Sequence, residues 1–137
     1  MKKEDVLQYS SLVLAYMGDA VYEKFIREYI IKQGHFNNGQ LHKKAIKYVS
    51  AKGQIEVLKK IEEILNDDEK DVVRRGRNSN PHSSAKNADI VEYKYATGFE
   101  ALIGYLYLTE QEDRLNEILE KCVKEAWLYC KKQIFNI

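Results

Sequence analysis

Apolar residues recur at steps of three and four along most of the chain, which is the spacing of one helix face. Over residues 10–33 the apolar positions are Leu12, Tyr16, Ala20, Val21, Phe25, Ile26, Tyr29 and Ile30. This period predicts an amphipathic helix that is apolar enough to be largely buried. Gly34 follows the last apolar position and is expected to cap the end of the helix.

The same period predicts the rest of the secondary structure. Further helices are expected at 39–51, at 53–65, from about 67, at 88–108 and at 111–133. Gly53 is expected to break or kink the chain, and Asp67 is expected to cap the start of the short helix. Because no stretch predicts a strand, the expected fold class is all-α.

Residues 76–88, GRNSNPHSSAKNA, interrupt this pattern. They are small and polar, include the only proline, Pro81, and show no apolar period. This segment predicts a loop of about a dozen residues, and loops of that length in compact domains are often functional.

The composition agrees with one helical domain over residues 1–137. Hydrophobic residues make up 45% of the chain and charged residues 31%, which is an ordinary globular balance. Seven glycines and one proline are few for the many turns of a sheet-rich fold. A chain of this length can bury one core.

Nothing in the sequence predicts export or a membrane partner. The stretch MKKEDVLQYS lacks an apolar core of signal-peptide length, and no apolar run reaches the roughly 18 residues of a membrane span. Cys122 and Cys130 would be separated by about 12 Å along one predicted helix, which is too far for a disulfide. We therefore expect a cytoplasmic protein with two reduced thiols.

Positive charge is concentrated in two segments of a chain whose net charge is only +1. Residues 42–60 hold six lysines against one acid, and residues 70–77 hold four basic residues against one. The balance excludes a general polycation, but the local stripe favours a polyanionic partner. A solvated helix face is the alternative interpretation.

Two acids interrupt apolar runs. Asp19 lies in LAYMGDAVYE, residues 14–23, and Glu100 lies in YATGFEALIGYLYL, residues 95–108. A carboxylate on an apolar helix is expected to lose hydration, so its charged form must be matched by a cation, a metal or hydrogen-bond donors.

Glycines near both acids would let their helices approach closely. Gly18 precedes Asp19, and Gly98 and Gly104 flank Glu100. Two carboxylates that converge from different helices suit Mg²⁺, which takes hard oxygen ligands and is completed by water and substrate phosphate. In the alternative interpretation, each acid pairs with a basic residue or a backbone donor.

These two segments resemble those of a known family. LAYMGDAVYE is similar to the signature helix of ribonuclease III, which carries a metal-binding aspartate, and ATGFEALIGYLYL is similar to its second acidic helix. The order and the separation of the motifs match as well. With LHKKAIKYVSAKGQ at 41–54, RRGRN at 74–78 and no double-stranded-RNA-binding domain, the whole chain resembles the Mini-III ribonucleases, the bacterial members reduced to a catalytic domain.

The resemblance implies a fold, an activity and partners. It implies a ribonuclease III endonuclease-domain-like helical bundle that acts as a homodimer on double-stranded RNA. It implies hydrolysis that depends on Mg²⁺, with Mn²⁺ able to substitute, and that leaves 5′-phosphate and 3′-hydroxyl ends. For the Mini-III group it implies maturation of the 23S ribosomal RNA precursor, with an assembling large-subunit ribosomal protein as a partner.

The metal ligands carry over residue by residue. Asp19 matches the metal-binding aspartate, and Glu100 matches the metal-binding glutamate. Ala15 stands where full-length ribonuclease III has a glutamate, and Thr97 stands where it has an aspartate. The resemblance implies that this departure is typical of the Mini-III group. It leaves open the number of metal ions and whether Thr97 supports the site through its hydroxyl or a water.

The RNA-binding residues are expected in and around the long loop. Lys86 matches a lysine that lies near the scissile phosphate in the family, or else is a surface lysine. Recognition of A-form RNA uses contacts to phosphates and 2′-hydroxyls. Donors for such contacts are Arg74, Arg75, Arg77 and Asn78, with Lys43, His42 and Lys47 as weaker candidates.

Two other functions compete with the endoribonuclease. A catalytically reduced double-stranded-RNA-binding module of the same fold would bind RNA without cutting it, and the missing acids at Ala15 and Thr97 favour this alternative. A plain helical interaction protein would show no salt-dependent RNA binding.

Overall fold

The computed structural model describes the backbone of residues 1–79 and 87–135 and the side chains of residues 1–79 and 90–124. Within these ranges every regular element is helical, which confirms the all-α prediction. The helices are α1 (Lys3–Val6), α2 (Ser11–Ile31), α3 (Asn38–Val49), α4 (Ala51–Ile61), α5 (Asp67–Arg77), α6 (Asn87–Leu108) and α7 (Glu112–Phe135). A single 3-10 turn at Glu62–Ile64 extends α4.

Polar side chains set the starts of several helices. The Ser10 hydroxyl accepts a hydrogen bond from the amide of Val13 at the start of α2. Asn66 begins α5 in a capping box with Glu69, in which each side chain accepts from the other's amide at 2.9 Å. The prediction of Asp67 as this cap is therefore one residue late, because the Asn66 oxygen satisfies the free helix amide.

Two glycines have roles that differ from the predicted ones. The chain breaks between α3 and α4 at Ser50, which is extended and whose hydroxyl accepts from the amide of Gly53 at 3.1 Å. Gly53 lies inside α4, where a Cβ atom would approach the carbonyl oxygen of Lys47 to 2.2 Å. Gly34 lies beyond the end of α2, whose last cap is Lys32 in a right-handed conformation.

The predicted loop at 76–88 is shorter than expected at both ends. Helix α5 continues through Arg77, and α6 begins at Asn87. The middle of the predicted loop, residues 80–86, lies outside the described residues, and so does the side chain of Cys130. Cys122 is buried and unpaired, and burial raises the pKa of its thiol to about 12.

Helix α6 lies at the centre of the core and packs against α2, α4, α5 and α7. The largest fully buried side chains on and around it are Leu14, Tyr22, Ile26, Phe99, Leu102, Ile103, Leu106 and Ile118. Tyr22 meets Phe99 edge to face with ring centroids 4.8 Å apart, and its hydroxyl donates to the carbonyl of Tyr48 at 3.0 Å. Helix α3 is held at the edge, since none of its residues is fully buried.

A buried ion pair fixes α7 to α5. Glu69 is 1% exposed and accepts two hydrogen bonds from the guanidinium of Arg114, at 2.8 and 2.7 Å. Arg114 also donates to the carbonyl of Ile64. Over the described residues, no helix combines the length and the apolar character needed to cross a membrane.

Candidate active site

Helices α2 and α6 cross in backbone contact, and this crossing brings the two predicted acids together. A Cβ atom on Gly18 would lie 1.7 Å from the carbonyl oxygen of Glu100, and one on Gly104 would lie 1.9 Å from that of Leu14. Only glycine fits at either position, because any Cβ atom would overlap the opposite backbone. The predicted close approach of the two helices is therefore confirmed.

Asp19 lies on the outer side of this crossing. The residue as a whole is exposed, because α2 turns Asp19 and Ala20 towards the surface while Gly18 faces α6. Partial desolvation still raises the pKa of Asp19, and the neighbouring carboxylate of Glu23 raises it further. An exposed acid beside a crowded helix crossing remains accessible to a substrate.

Glu100 faces the same place from the more buried side. Desolvation raises the pKa of its carboxyl to about 7, and the charges of Asp19 and Glu23 add to this rise, while a hydrogen bond from Gln54 opposes it. Three carboxylates thus repel one another across the crossing. A cation bound between them would remove this repulsion.

No basic side chain of the described residues supplies that cation. Among the described side chains, neither Asp19 nor Glu100 takes part in an ion pair. The described residues also hold no group of three or more His, Cys, Asp or Glu side chains that could bind a metal alone. A pair of carboxylates fits Mg²⁺, which is often held by one or two protein acids with water and phosphate as the other ligands.

The sequence interpretation missed two residues at this site. Glu23 lies one helical turn after Asp19, so the i,i+4 spacing could have indicated it. Its carboxylate also lies 3.3 Å from the guanidinium of Arg27. Gln54 reaches Glu100 from α4, and no local signal in the sequence indicates that contact.

The two positions that depart from the ribonuclease III pattern are both buried. Ala15 is 6% exposed and Thr97 is 4% exposed. The Thr97 hydroxyl donates to the carbonyl of Tyr93 at 2.8 Å, within α6. An acid at either position would have to bury a charge in this fold, which is a physical reason for the uncharged residues.

The arginines of α5 differ in their exposure and in the contacts that they already make within the protein. Arg74 is exposed and pairs with Asp71 on the preceding turn of α5. Arg75 is exposed and makes one long hydrogen bond, 3.5 Å, to the carbonyl of Leu7. Arg77 is half-buried, because its guanidinium lies 4.3 Å from the ring centroid of Tyr95 and donates to the tyrosine hydroxyl at 3.1 Å.

A second pair of glycines links these arginines to the acids. A Cβ atom on Gly76 would lie 2.7 Å from the Cα atom of Gly98, so α5 and α6 also meet in backbone contact. Gly98 precedes Glu100 by two residues, and Gly76 lies between Arg75 and Arg77. The basic C-terminal end of α5 therefore packs directly against the segment of α6 that carries Glu100.

The structure describes four of the other predicted RNA-binding residues. Asn78 is exposed and caps the end of α5. Lys43 is exposed on α3, as are His42 and Lys47. Lys86 lies outside the described residues.

The chain is similar to known ribonucleases over most of its length. A family model described as "Ribonuclease III domain" matches residues 12–111. The Mini-ribonuclease 3 of Thermoanaerobacter sp. strain X514 is 49% identical over 124 residues, which cover 90% of this chain and 87% of the relative. That of Clostridium tetani is 50% identical over 119 residues, which cover 86% and 79%.

The fold is also similar to a solved structure. The X-ray crystal structure of a protein from Fusobacterium nucleatum superimposes with a TM-score of 0.77 at 34% identity. The match covers 92% of this chain and 99% of that protein.

Proposed function

Because the chain belongs to the ribonuclease III family, in the group of the Mini-ribonucleases 3, and is an endoribonuclease, we propose that Asp19 and Glu100 hold the divalent ion with which it cuts double-stranded RNA. The observation that carries the proposal is the convergence of these two carboxylates at the crossing of α2 and α6, with no basic partner among the described side chains. Mg²⁺ is the proposed ion, with Mn²⁺ able to substitute.

The two acids have different duties in this proposal. Asp19 and Glu100 would hold the divalent ion, which would supply an activated water and charge stabilisation for the leaving 3′-oxygen, so that the products would have 5′-phosphate and 3′-hydroxyl ends. Asp19 is exposed and therefore meets the substrate side of the site. Glu100 is anchored on the core helix and fixes the position of the site relative to the fold. It must lose its proton to act as a ligand, because its pKa is about 7 before a cation binds.

The RNA contacts are proposed on α5 and α3. Arg74, Arg75 and Asn78 are exposed and offer donors to phosphates and 2′-hydroxyls. Arg77 contributes mainly by packing on Tyr95, which orients the end of α5. Lys43 is the proposed contact on α3, and Lys86 is proposed near the scissile phosphate. Thr97 supports the site from within α6.

A homodimer is part of the proposal. Helix α2 exposes large apolar side chains, with Tyr16 82%, Ile31 59% and Val13 47% exposed. Such a surface on the helix that carries Asp19 suits self-association through a twofold axis. Two copies of one catalytic domain, residues 1–137, would place two sites on one duplex, one for each strand.

The proposed cellular substrate is the 23S ribosomal RNA precursor in the cytoplasm, with an assembling large-subunit protein as a partner. The support is similarity to the Mini-ribonucleases 3, whose name gives the activity and not the substrate. Analysis of precursor ends in a strain that lacks this chain tests it. Correct mature ends in that strain would overturn this part alone.

The central experiment is cleavage of a long RNA duplex by the wild type and by Asp19→Asn, with Mg²⁺ and with EDTA. We expect cutting only by the wild type with Mg²⁺. Asp5→Asn, an exposed acid on α1, is the matched control and should cut normally. Metal-dependent cutting that persists in Asp19→Asn would overturn the assigned ligand. Salt-sensitive binding without cutting by the wild type would favour the catalytically reduced RNA-binding module.

A further inference from the structure

Gln54 differs from the other buried polar residues of the described part. Gln54, Glu69 and Thr97 are the polar or charged side chains that are buried there. Glu69 and Thr97 complete their hydrogen bonds with Arg114 and Tyr93. The amide oxygen of Gln54, by contrast, has no partner, and no other buried side-chain oxygen or nitrogen of the described residues lacks one.

The amide nitrogen of Gln54 connects three helices. It donates to the carbonyl of Val49, the last residue of α3, at 3.2 Å. The Gln54 side chain also lowers the pKa of the Glu100 carboxyl on α6, as a nearby hydrogen-bond donor does. Only the NH₂ group can donate to a carboxylate, and Val49 takes one of its two hydrogens, which leaves the other for Glu100. The start of α4 is thereby tied to the acid at the α2–α6 crossing.

The buried amide oxygen of Gln54 lowers the stability of the fold, which an apolar side chain at this position would not do. A buried acceptor without a partner destabilises the folded state, and an apolar side chain of similar length would remove that penalty. An apolar side chain could donate neither to the carbonyl of Val49 nor to Glu100, and of these two groups only Glu100 belongs to the candidate site.

We propose that Gln54 is a positioning residue that holds the Glu100 carboxylate towards Asp19, so that both acids can bind one divalent cation. The inference rests on the proposed metal site. Without the amide, the Glu100 side chain can rotate away from Asp19 because the two carboxylates repel each other. Part of the binding free energy of the cation is then used to reorder that side chain, so the affinity falls.

The test is Mn²⁺ binding to the RNA-free protein, followed by electron paramagnetic resonance. Gln54→Met keeps the length of the side chain and removes both donors. We expect the Kd for Mn²⁺ to rise roughly 10-fold or more, the usual effect of removing a group that orients a ligand. Gln33→Met, on an exposed glutamine after α2, is the matched control and should leave the Kd unchanged.

The outcomes separate this inference from the metal site. A wild-type Kd in folded Gln54→Met, together with weakened binding in Glu100→Gln, would overturn the role of Gln54 alone. Equal binding by the wild type, Asp19→Asn and Glu100→Gln would overturn the metal site and this inference with it. Duplex affinity in EDTA should be the same in Gln54→Met and the wild type, since the residue does not face RNA in this proposal.

A second measurement needs no variant that must fold. In a Mg²⁺ titration of the wild-type protein followed by NMR, the side-chain NH₂ resonances of Gln54 should shift with the same midpoint as the backbone amide of Glu100. A moving Glu100 signal with stationary Gln54 resonances would overturn the proposal.

Discussion

The backbone at Gly18 lies directly against the carbonyl group of Glu100, so that a Cβ atom on Gly18 would be 1.7 Å from the carbonyl oxygen. The distance between α2 and α6 at the candidate site is therefore set by main-chain atoms and not by side chains. The spacing of Asp19 and Glu100 is fixed by the same contact, because Glu100 is part of it and Asp19 is adjacent to it.

Gly18→Ala should destabilise the protein, although alanine is about 1 kcal/mol better than glycine in an isolated helix. The new methyl group must separate α2 from α6, and we expect the free energy of unfolding to fall by about 3 kcal/mol. Urea denaturation measures it. Gly39→Ala is the control, because a Cβ atom there would meet its nearest neighbour at 3.4 Å. Equal stability of the two variants would contradict the close crossing.

Glu100→Gln should stabilise the metal-free protein at high pH. The carboxyl has its pKa raised from 4.5 to about 7 in the folded state. Between these values the folded protein holds a proton that the unfolded chain has released, so wild-type stability falls as pH rises. We expect Glu100→Gln to gain on the order of 1–3 kcal/mol over the wild type at about pH 8 and much less at about pH 5.

Urea denaturation in EDTA at the two pH values measures this difference. Glu56→Gln makes the same change of charge at an exposed glutamate and is the matched control. A gain for Glu100→Gln of equal size at both pH values would mean that the charge of Glu100 is not its source.

Arg114→Met should cost about 3–5 kcal/mol of stability, because it leaves the buried carboxylate of Glu69 without its counter-charge. Lys59→Met breaks an exposed pair with Glu56 at 3.6 Å and should cost less than about 1 kcal/mol. Thermal or urea unfolding compares them. A small effect for Arg114→Met would show that Glu69 finds water or another donor.

Arg75→Gln should weaken the binding of duplex RNA in EDTA without changing the fold. The side chain is exposed and makes only one long hydrogen bond within the protein. Loss of one phosphate contact should lower the slope of log affinity against log salt by about 1. Lys59→Gln, on the exposed side of α4, is the charge-matched control. An unchanged slope in Arg75→Gln would remove this residue from the RNA surface.

Arg77→Gln should behave differently from Arg75→Gln. It removes the packing of the guanidinium on Tyr95, so we expect a loss of stability of about 1 kcal/mol together with weaker RNA binding. Unfolding curves measured beside the binding titrations separate the two effects. Normal stability of Arg77→Gln would show that Tyr95 does not hold the end of α5.

The helices could be predicted from the sequence, because the spacing of apolar residues shows which face of a helix is buried. The approach of Asp19 to Glu100 could be predicted as well, because small residues mark the faces on which two helices can come close. The residues at which the helices begin and end were harder to predict. Ser50 ends α3 and Asn66 begins α5 through side-chain hydrogen bonds, and many serines and asparagines in a sequence could do the same. The exposure of Asp19 could not be predicted, because a largely apolar helix can still turn one side outward.

The contacts of Gln54 and Arg114 could not be predicted for a different reason. Each joins residues that are far apart in the chain, from Gln54 to Glu100 and from Arg114 to Glu69. A glutamine in α4 and an arginine in α7 look like ordinary surface residues until the packing of the helices is known. Local patterns carry no information about such pairs.

Helix α3 has no fully buried residue, unlike the central helices, and it is joined to α4 through the single extended residue Ser50. Such a helix can detach from the core at a lower free energy than global unfolding, so its amide hydrogens should exchange with solvent before those of α6. Lys43 and Lys47 would then lie on a helix that opens more readily than α6. A bound duplex would hold α3 in place, and hydrogen exchange there would slow as the RNA orders it.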